Sequence, residues 1–353
     1  MTQPQVRIAF SGLGDHAIRA HLRHLVQSGR CRVVGAFDPG RQTNAEWHQR
    51  HGLDASFKQY RDFDALISDP GVDAVLIASP DQFHLPQLRE AIQAGKHAFC
   101  EKPLCTGRDD LRTLRSLLQE AAGKGLSITS CHPRRFDPPY VWLKENLPRL
   151  AGQYGRVLQI SLDFSYHQPS ADKGHLHGGS LLLDHANHEI DYVNLLLGRA
   201  GANLTRLLDS PDRYALCGVR DDGVTLHFHG TRRLSQRIYP ESVNVRFERG
   251  ELDLNTYDAR LSRIVDHDAL AHQTGAVAEP DRGLQRIDHP VTDYEKRFRG
   301  VDNDWLDGMI HGRQCYLAME DMLYNAAVSA GFGEGSQGTL QLAKEGLERA
   351  LLM

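Results

Sequence analysis

The stretch QVRIAFSGLGDHAIRAHLRHLVQSGRCRVVGAFD, residues 5–38, decides how the rest of the chain is read. Residues 5–12 alternate into an apolar strand that ends at glycine, and 15–28 set Ile18, Leu22, Leu25 and Val26 along one side of a helix. A second strand, 31–38, closes on Asp38. Strand, turn, helix and strand in this order predict the first crossover of a parallel sheet. Within the turn, Gly12, Leu13, Gly14, Asp15, His16 and Ala17 fit G-x-G-x-x-G/A between a strand and a helix, the context in which that pattern carries meaning. The glycines permit a tight turn and let backbone N–H groups approach a pyrophosphate, whose charge the helix N-terminus favours. Asp38 follows Gly14 by 24 residues, where a carboxylate accepts from both ribose hydroxyls and repels a 2′-phosphate. NAD is therefore the expected cofactor. NADP stays possible, because Arg41 lies three residues on and can offset part of that repulsion.

The same rhythm continues. A short helix is expected at 62–69, a strand at 73–79, a helix at 84–95 closed by Gly95, a strand at 97–101, a helix at 109–125 and a last strand at 126–131. The fold class is α/β, with residues 1–133 forming a Rossmann domain built on a doubly wound parallel sheet. After residue 133 the pattern changes: Pro138 and Pro139 suit a helix start, and 155–168 reads as a long alternating strand. Strand-like stretches at 214–219, 223–230 and 242–257 follow without intervening helices. Residues 134–353 are thus expected to form an α+β domain with a mostly antiparallel open sheet, irregular over 260–300 and helical over 303–330.

Composition agrees with two globular domains. At 353 residues the chain exceeds the usual limit of one hydrophobic core. Its 41% hydrophobic and 24% charged content excludes disordered and collagen-like classes. A net charge of −4 with no long run of one sign argues against nucleic acid as a partner. No apolar run approaches the ~20 residues of a membrane-spanning helix. The N-terminus lacks the pattern of a signal peptide, so a cytoplasmic location is expected. Six cysteines without CxxC spacing read as reduced thiols, and no function is assigned to them.

One feature demands a site. FCEKPL (99–104) runs as an apolar strand and then places Glu101 and Lys102 before Pro103. In a doubly wound sheet ligands sit beyond the carboxyl ends of the strands, so both charges are expected to face a cleft. This motif, preceded by Gly95-Lys96-His97, resembles the EKP segment of the Gfo/Idh/MocA oxidoreductase family. DAVLIASPDQFH (73–84) is similar to that family's strand ending in T/S-P-x-x-x-H, and PRRFDPPY (133–140) to its N-R-R-F-x-P segment. GGSLLLDHANHEIDYVNLLLG (178–198) resembles G-G-G-x-L-x-D-x-G-x-H-x-x-D-x-x-x-x-L-x-G. Ser180, Ala186 and Pro133 depart from those patterns, the first two where glycine is usual and the third where asparagine is.

The resemblance implies that Lys102, Asp184 and His188 are catalytic and touch the substrate. It also implies that Ser79, Pro80, His84, Glu101 and Lys102 join Gly12, Leu13, Gly14, Asp15, His16 and Asp38 around the cofactor. Its substrates are sugars, amino sugars or cyclitols oxidised at a secondary alcohol or reduced at a ketone, and it implies a homodimer or homotetramer. Two other readings remain: a glycosidase that uses NAD for transient oxidation and elimination, and a non-catalytic nucleotide-binding regulator.

The residue chemistry stands beside the resemblance. Asp184 and His188 are spaced i,i+4 and share one helix face, where a carboxylate can orient an imidazole and stabilise its cation. Lys102 supplies a cation that can stabilise a developing oxyanion or join a proton relay. His175, with Tyr166 and Arg135, is a candidate for the substrate pocket, although each is equally readable as a surface or packing residue. His175, His177, His185 and His188 crowd together, as do His227 and His229, yet no zinc-type spacing completes a ligand set, so no metal is expected.

Overall fold

A computed structural model describes residues 5–165, 180–232, 241–271, 283–333 and 339–342. Two compact units emerge: one combines Met1–Pro133 with Glu295–Ala330, and the other combines Arg134–Tyr294 with Gly331–Met353. The chain passes from the first unit to the second after Pro133 and returns to the first at Glu295. The segment Glu295–Ala330 belongs to the first unit, where Trp305 is buried against Phe99 with ring centroids 5.5 Å apart.

The first unit opens with β1 (Val6–Ser11), α1 (Asp15–Ala17), a π turn (Ile18–Leu22), α2 (Arg23–Gln27) and β2 (Cys31–Phe37). The helix expected over 15–28 is there, widened by the π turn in its middle. Next come α3 (Ala45–Arg50), β3 (Lys58–Gln59), α4 (Phe63–Ile67), β4 (Ala74–Ile77), α5 (His84–Gln93), β5 (His97–Cys100), α6 (Asp109–Gly123) and β6 (Ile128–Ser130). The strands pair in parallel in the order β3-β2-β1-β4-β5-β6, so the connections reverse direction between β1 and β4. All four residues of β4 are buried, as expected of a strand covered on both faces. Two elements had no reading in the sequence. α3 buries no residue and so shows no apolar stripe, and β3 spans only two residues.

The second unit begins with α7 (Pro138–Tyr154), which carries proline at its start as expected, and β7 (Val157–Ser165). It continues with α8 (Leu181–Leu197), β8 (Ala202–Asp209), β9 (Arg213–Arg220), β10 (Thr225–Thr231), β11 (Glu241–Phe247) and β12 (Gly250–Asn255). After these come β13 (Arg263–Asp266), α9 (His267–Ala271) and β14 (Leu284–Arg286). The stretch 242–257 is thus a hairpin rather than one strand, and 260–300 is less irregular than its composition suggests. α10 (Tyr294–His311) and α11 (Met319–Gly333) divide the helical stretch foreseen at 303–330, with Gly312 at φ +65 between them, and β15 (Thr339–Leu342) follows.

The nine strands of this unit run β14-β13-β12-β11-β7-β10-β9-β8-β15, antiparallel except for β7 with β10. Alternate residues, among them Ile160, Leu162, Phe164, Leu226, Phe228, Val243 and Val245, are buried on one face, as period-two side-chain direction requires. α8 packs on β9 and β10. The departures at Ser180 and Ala186 have local reasons. Ser180 caps α8, accepting the Leu183 N–H at 3.3 Å and donating to Asp209 Oδ1 at 2.7 Å, while Ala186 is a buried interior position where alanine is the better helix former.

Candidate active site

The nucleotide side of the site is built at the carboxyl ends of β1, β2, β4 and β5. Gly12 has φ +95 and donates its N–H to Phe37 O at 2.8 Å. A Cβ placed there would sit 2.5 Å from Ala78 O, so only glycine fits between β1 and β4. Gly14 has open space around it, leaving the backbone approachable at the start of the helix. Leu13 is buried and gives its N–H to Asp38 Oδ2 at 2.6 Å, while Gly40 N–H reaches Asp38 Oδ1 at 2.8 Å. Asp15 is exposed and pairs with Arg41 at 2.9 Å, which directs that guanidinium at the glycine turn. This cradle and its carboxylate fit a dinucleotide.

Three other residues expected around the cofactor, Ser79, Pro80 and His84, follow β4. His84 is buried: its Nδ1 lies 2.7 Å from Pro103 O and its Nε2 2.8 Å from Ser79 O. Both polar atoms of its ring tie β4's end to the EKP segment. Ser79 Oγ donates to Gln87 Oε1 at 2.8 Å, an acceptor shared with Ser11 Oγ, and Pro80 is exposed just before a short 3-10 turn.

The opposite fates of Glu101 and Lys102 correct the expectation that both charges face a cleft. Glu101 is buried, with Oε1 3.1 Å from His16 Nε2 and 3.0 Å from His21 Nε2. Burial pushes its pKa up, but hydrogen bonds from the two histidines outweigh this and hold the carboxyl well below its usual range. His21 is fully buried and its other nitrogen meets Asp302 Oδ1 at 2.7 Å. Burial lowers its pKa, yet the charge and hydrogen bond of Asp302, with Cys131 and Glu101, raise it well above the ordinary value. His16 is half exposed, and Lys102 is half-buried with its N–H 3.3 Å from Glu101 Oε2.

In the second unit α8 carries Asp184 and His188 on one face, as their spacing predicts. Arg232 ion-pairs with the Asp184 carboxylate. Arg232 is itself buried and anchored to Pro211 O at 3.2 Å. The His188 ring packs edge-on against His185, which is stacked on Phe164 and bonded to Glu189 at 2.8 Å. Glu189 and Glu241 share the buried Arg134 at 3.1 and 3.3 Å. Burial lowers the pKa of His185 despite Glu189.

Arg135 is corrected from a pocket candidate to a buried residue whose guanidinium clasps both Asp191 oxygens at 2.7–3.2 Å. Tyr166, His175 and His177 lie outside the described residues. His21, Arg232 and Asp302 went unseen in the sequence, where nothing periodic marks them. His16, His21 and Glu101 hold three ligand-type atoms within 4.8 Å of one another.

The family model GFO_IDH_MocA, described as "Oxidoreductase family, NAD-binding Rossmann fold", matches residues 6–132. The chain is 34% identical over 187 residues to inositol 2-dehydrogenase of Paracoccus denitrificans, covering 52% of this chain and 53% of that protein. It is 31% identical over 202 residues to 1-carboxy-3-chloro-3,4-dihydroxycyclo hexa-1,5-diene dehydrogenase of Comamonas testosteroni, covering 54% and 47%. It thus spans about half the length of the curated relatives it matches. Levoglucosan dehydrogenase, solved in complex with NADH and levoglucosan, superposes with a TM-score of 0.74 over 96% of this chain and all of that one, at 17% identity, a likeness of fold. No helix among the described residues is long and apolar enough to cross a membrane. Residues 6–132 are thus similar to the NAD-binding Rossmann segment of that oxidoreductase family.

Proposed function

We propose that the protein is an NAD-dependent dehydrogenase that interconverts a secondary alcohol and a ketone on a sugar, amino sugar or cyclitol. The observation that carries the reading is the pairing of the Asp38 carboxylate with the Leu13 N–H beside the open backbone of Gly14, a cradle for a dinucleotide with a ribose acceptor at its edge. Bound there, NAD supplies the hydride acceptor. The Lys102 ammonium stabilises negative charge on the substrate oxygen, and His188 exchanges the hydroxyl proton near neutral pH. Asp184, neutralised by Arg232, holds its helix turn beside His188. The named activities of the inositol and dihydroxycyclohexadiene dehydrogenases support a polyhydroxylated ring as substrate.

The test is an absorbance assay at about 340 nm with a panel of sugars and cyclitols, run with NAD and with NADP. Substrate-dependent NADH formation that is lost in Lys102→Met and His188→Ala supports the dehydrogenase. Sugar release without net NADH would instead identify the glycosidase, and cofactor binding without any turnover the regulator. We also propose a homo-oligomer, because Leu158, Leu207 and Val219 are exposed on the sheet strands.

A further inference from the structure

Three buried titratable groups of the first unit, His21, Glu101 and Asp302, form a chain with the half-exposed His16 that the proposed reaction does not itself use. His21 lies inside the π turn, a helix irregularity that recurs at functional sites. Its Nδ1 is 2.7 Å from Asp302 Oδ1 and its Nε2 is 3.0 Å from Glu101 Oε1. Glu101 also meets His16 at 3.1 Å through the same oxygen, and its other oxygen accepts the Lys102 N–H at 3.3 Å. The other groups facing this array are the Cys131 thiol, against His21, and His24, whose Nδ1 is 3.6 Å from Asp302 Oδ2.

An ionised carboxylate only accepts hydrogen bonds, so the Nε2 atoms of both His16 and His21 donate to Glu101. The second nitrogen of His21 faces Asp302, whose own pKa burial raises, so the ring sits between two acids with a proton shared along each contact. Charges buried this deeply persist only where partners are fixed, and a fixed partner here sits one peptide from Lys102.

We propose that His21, clamped by Asp302, is a positioning residue for Lys102: it fixes the Glu101 carboxylate, which in turn fixes the peptide from which the lysine projects. The inference rests on the role given to Lys102 in the proposed dehydrogenase. Direct contacts of 3.0 and 3.1 Å from imidazole to carboxylate favour shared protons over a metal ion among these three side chains.

The test compares wild type with His21→Gln, Glu101→Gln, the double variant, Asp302→Asn and Lys102→Met, each as the full chain with NAD and the substrate found above. Calorimetric NAD affinity is expected to stay within about threefold in His21→Gln and in Asp302→Asn. The kcat falls about tenfold or more in His21→Gln and in Glu101→Gln, while the double variant is no worse than the poorer single, because both residues act on Lys102 through the one contact between them. Apart from turnover, proton NMR of the free protein at about pH 8 shows slowly exchanging imidazole N–H resonances that vanish in His21→Gln. A wild-type kcat in His21→Gln, multiplicative losses in the double variant, absence of those resonances, or an equivalent of zinc retained by wild type and lost in His21→Gln each overturns the proposal. Should His21→Gln fail to fold, the kcat of Asp302→Asn and the wild-type resonances decide. An active Lys102→Met overturns the role of Lys102 and this inference with it, whereas an inactive Lys102→Met beside a fully active His21→Gln overturns the inference alone.

Discussion

Asp38 accepts the Leu13 N–H through Oδ2 at 2.6 Å, so the acid that ends β2 is tied to the turn that ends β1. Replacing it with alanine removes both the tie and the expected ribose acceptor. A hydrogen bond to a charged group contributes about 1.5–3 kcal/mol, which corresponds to roughly a tenfold to hundredfold change in affinity. Asp38→Ala should therefore raise KM for NAD by that factor and narrow the preference over NADP. Initial rates against both cofactors check it, and an unchanged KM would remove Asp38 from the cofactor site.

Arg232 shields the Asp184 carboxylate in the second unit. Arg232→Met removes that acid's guanidinium partner, and breaking a buried pair from one side costs about 3–5 kcal/mol. Urea unfolding should show a stability loss of that order and turnover should fall with it. Arg232→Lys should recover only part, because an ammonium lacks the planar fork that holds a carboxylate. A methionine variant as stable as wild type would show that the pair is incidental.

Acid and alkali act on the Glu101–His21 pair in opposite senses. The Glu101 pKa lies below its unfolded value near 4.5, so its contribution is present above that pH and fades as pH falls toward the folded value. The His21 pKa lies above its unfolded value near 6.5, so its contribution is complete below 6.5 and fades as pH rises through the folded value. The difference in melting temperature between wild type and His21→Gln should be greatest between these two values and shrink on the alkaline side. A difference that is flat with pH would contradict the charge assignment.

The thiols should divide by environment. Burial raises Cys31 to about 11 and both Cys105 and Cys131 to about 12, and pushes Cys100 and Cys315 upward as well. Cys217 alone of the six is not buried. Brief iodoacetamide treatment of the native protein should label Cys217 and spare the other five until denaturant is added, as peptide mass spectrometry will show. Rapid native labelling of Cys131 would contradict its placement beside His21.

Local grammar explains what was legible in the sequence. The glycine turn, Asp38 and the i,i+4 pair on α8 follow from spacing within one or two elements. The inward turn of Glu101, the bracing by His84 and the clasp of Arg135 on Asp191 do not. At the end of a strand, period-two alternation no longer says which way a side chain points, and a charged residue there reads as solvent-facing. Asp302 is 281 positions from His21, and Arg232 is 48 from Asp184. Partners so distant leave no periodic trace, and only the folded chain brings them together.

The return of Glu295–Ala330 to the first unit has a biosynthetic consequence. As the chain leaves the ribosome, Met1–Pro133 emerges without Asp302 for His21 and without Trp305 over Phe99. The nucleotide-binding half therefore waits through the synthesis of the intervening strands, and a fragment cut after Pro133 would carry an open socket where that late segment belongs.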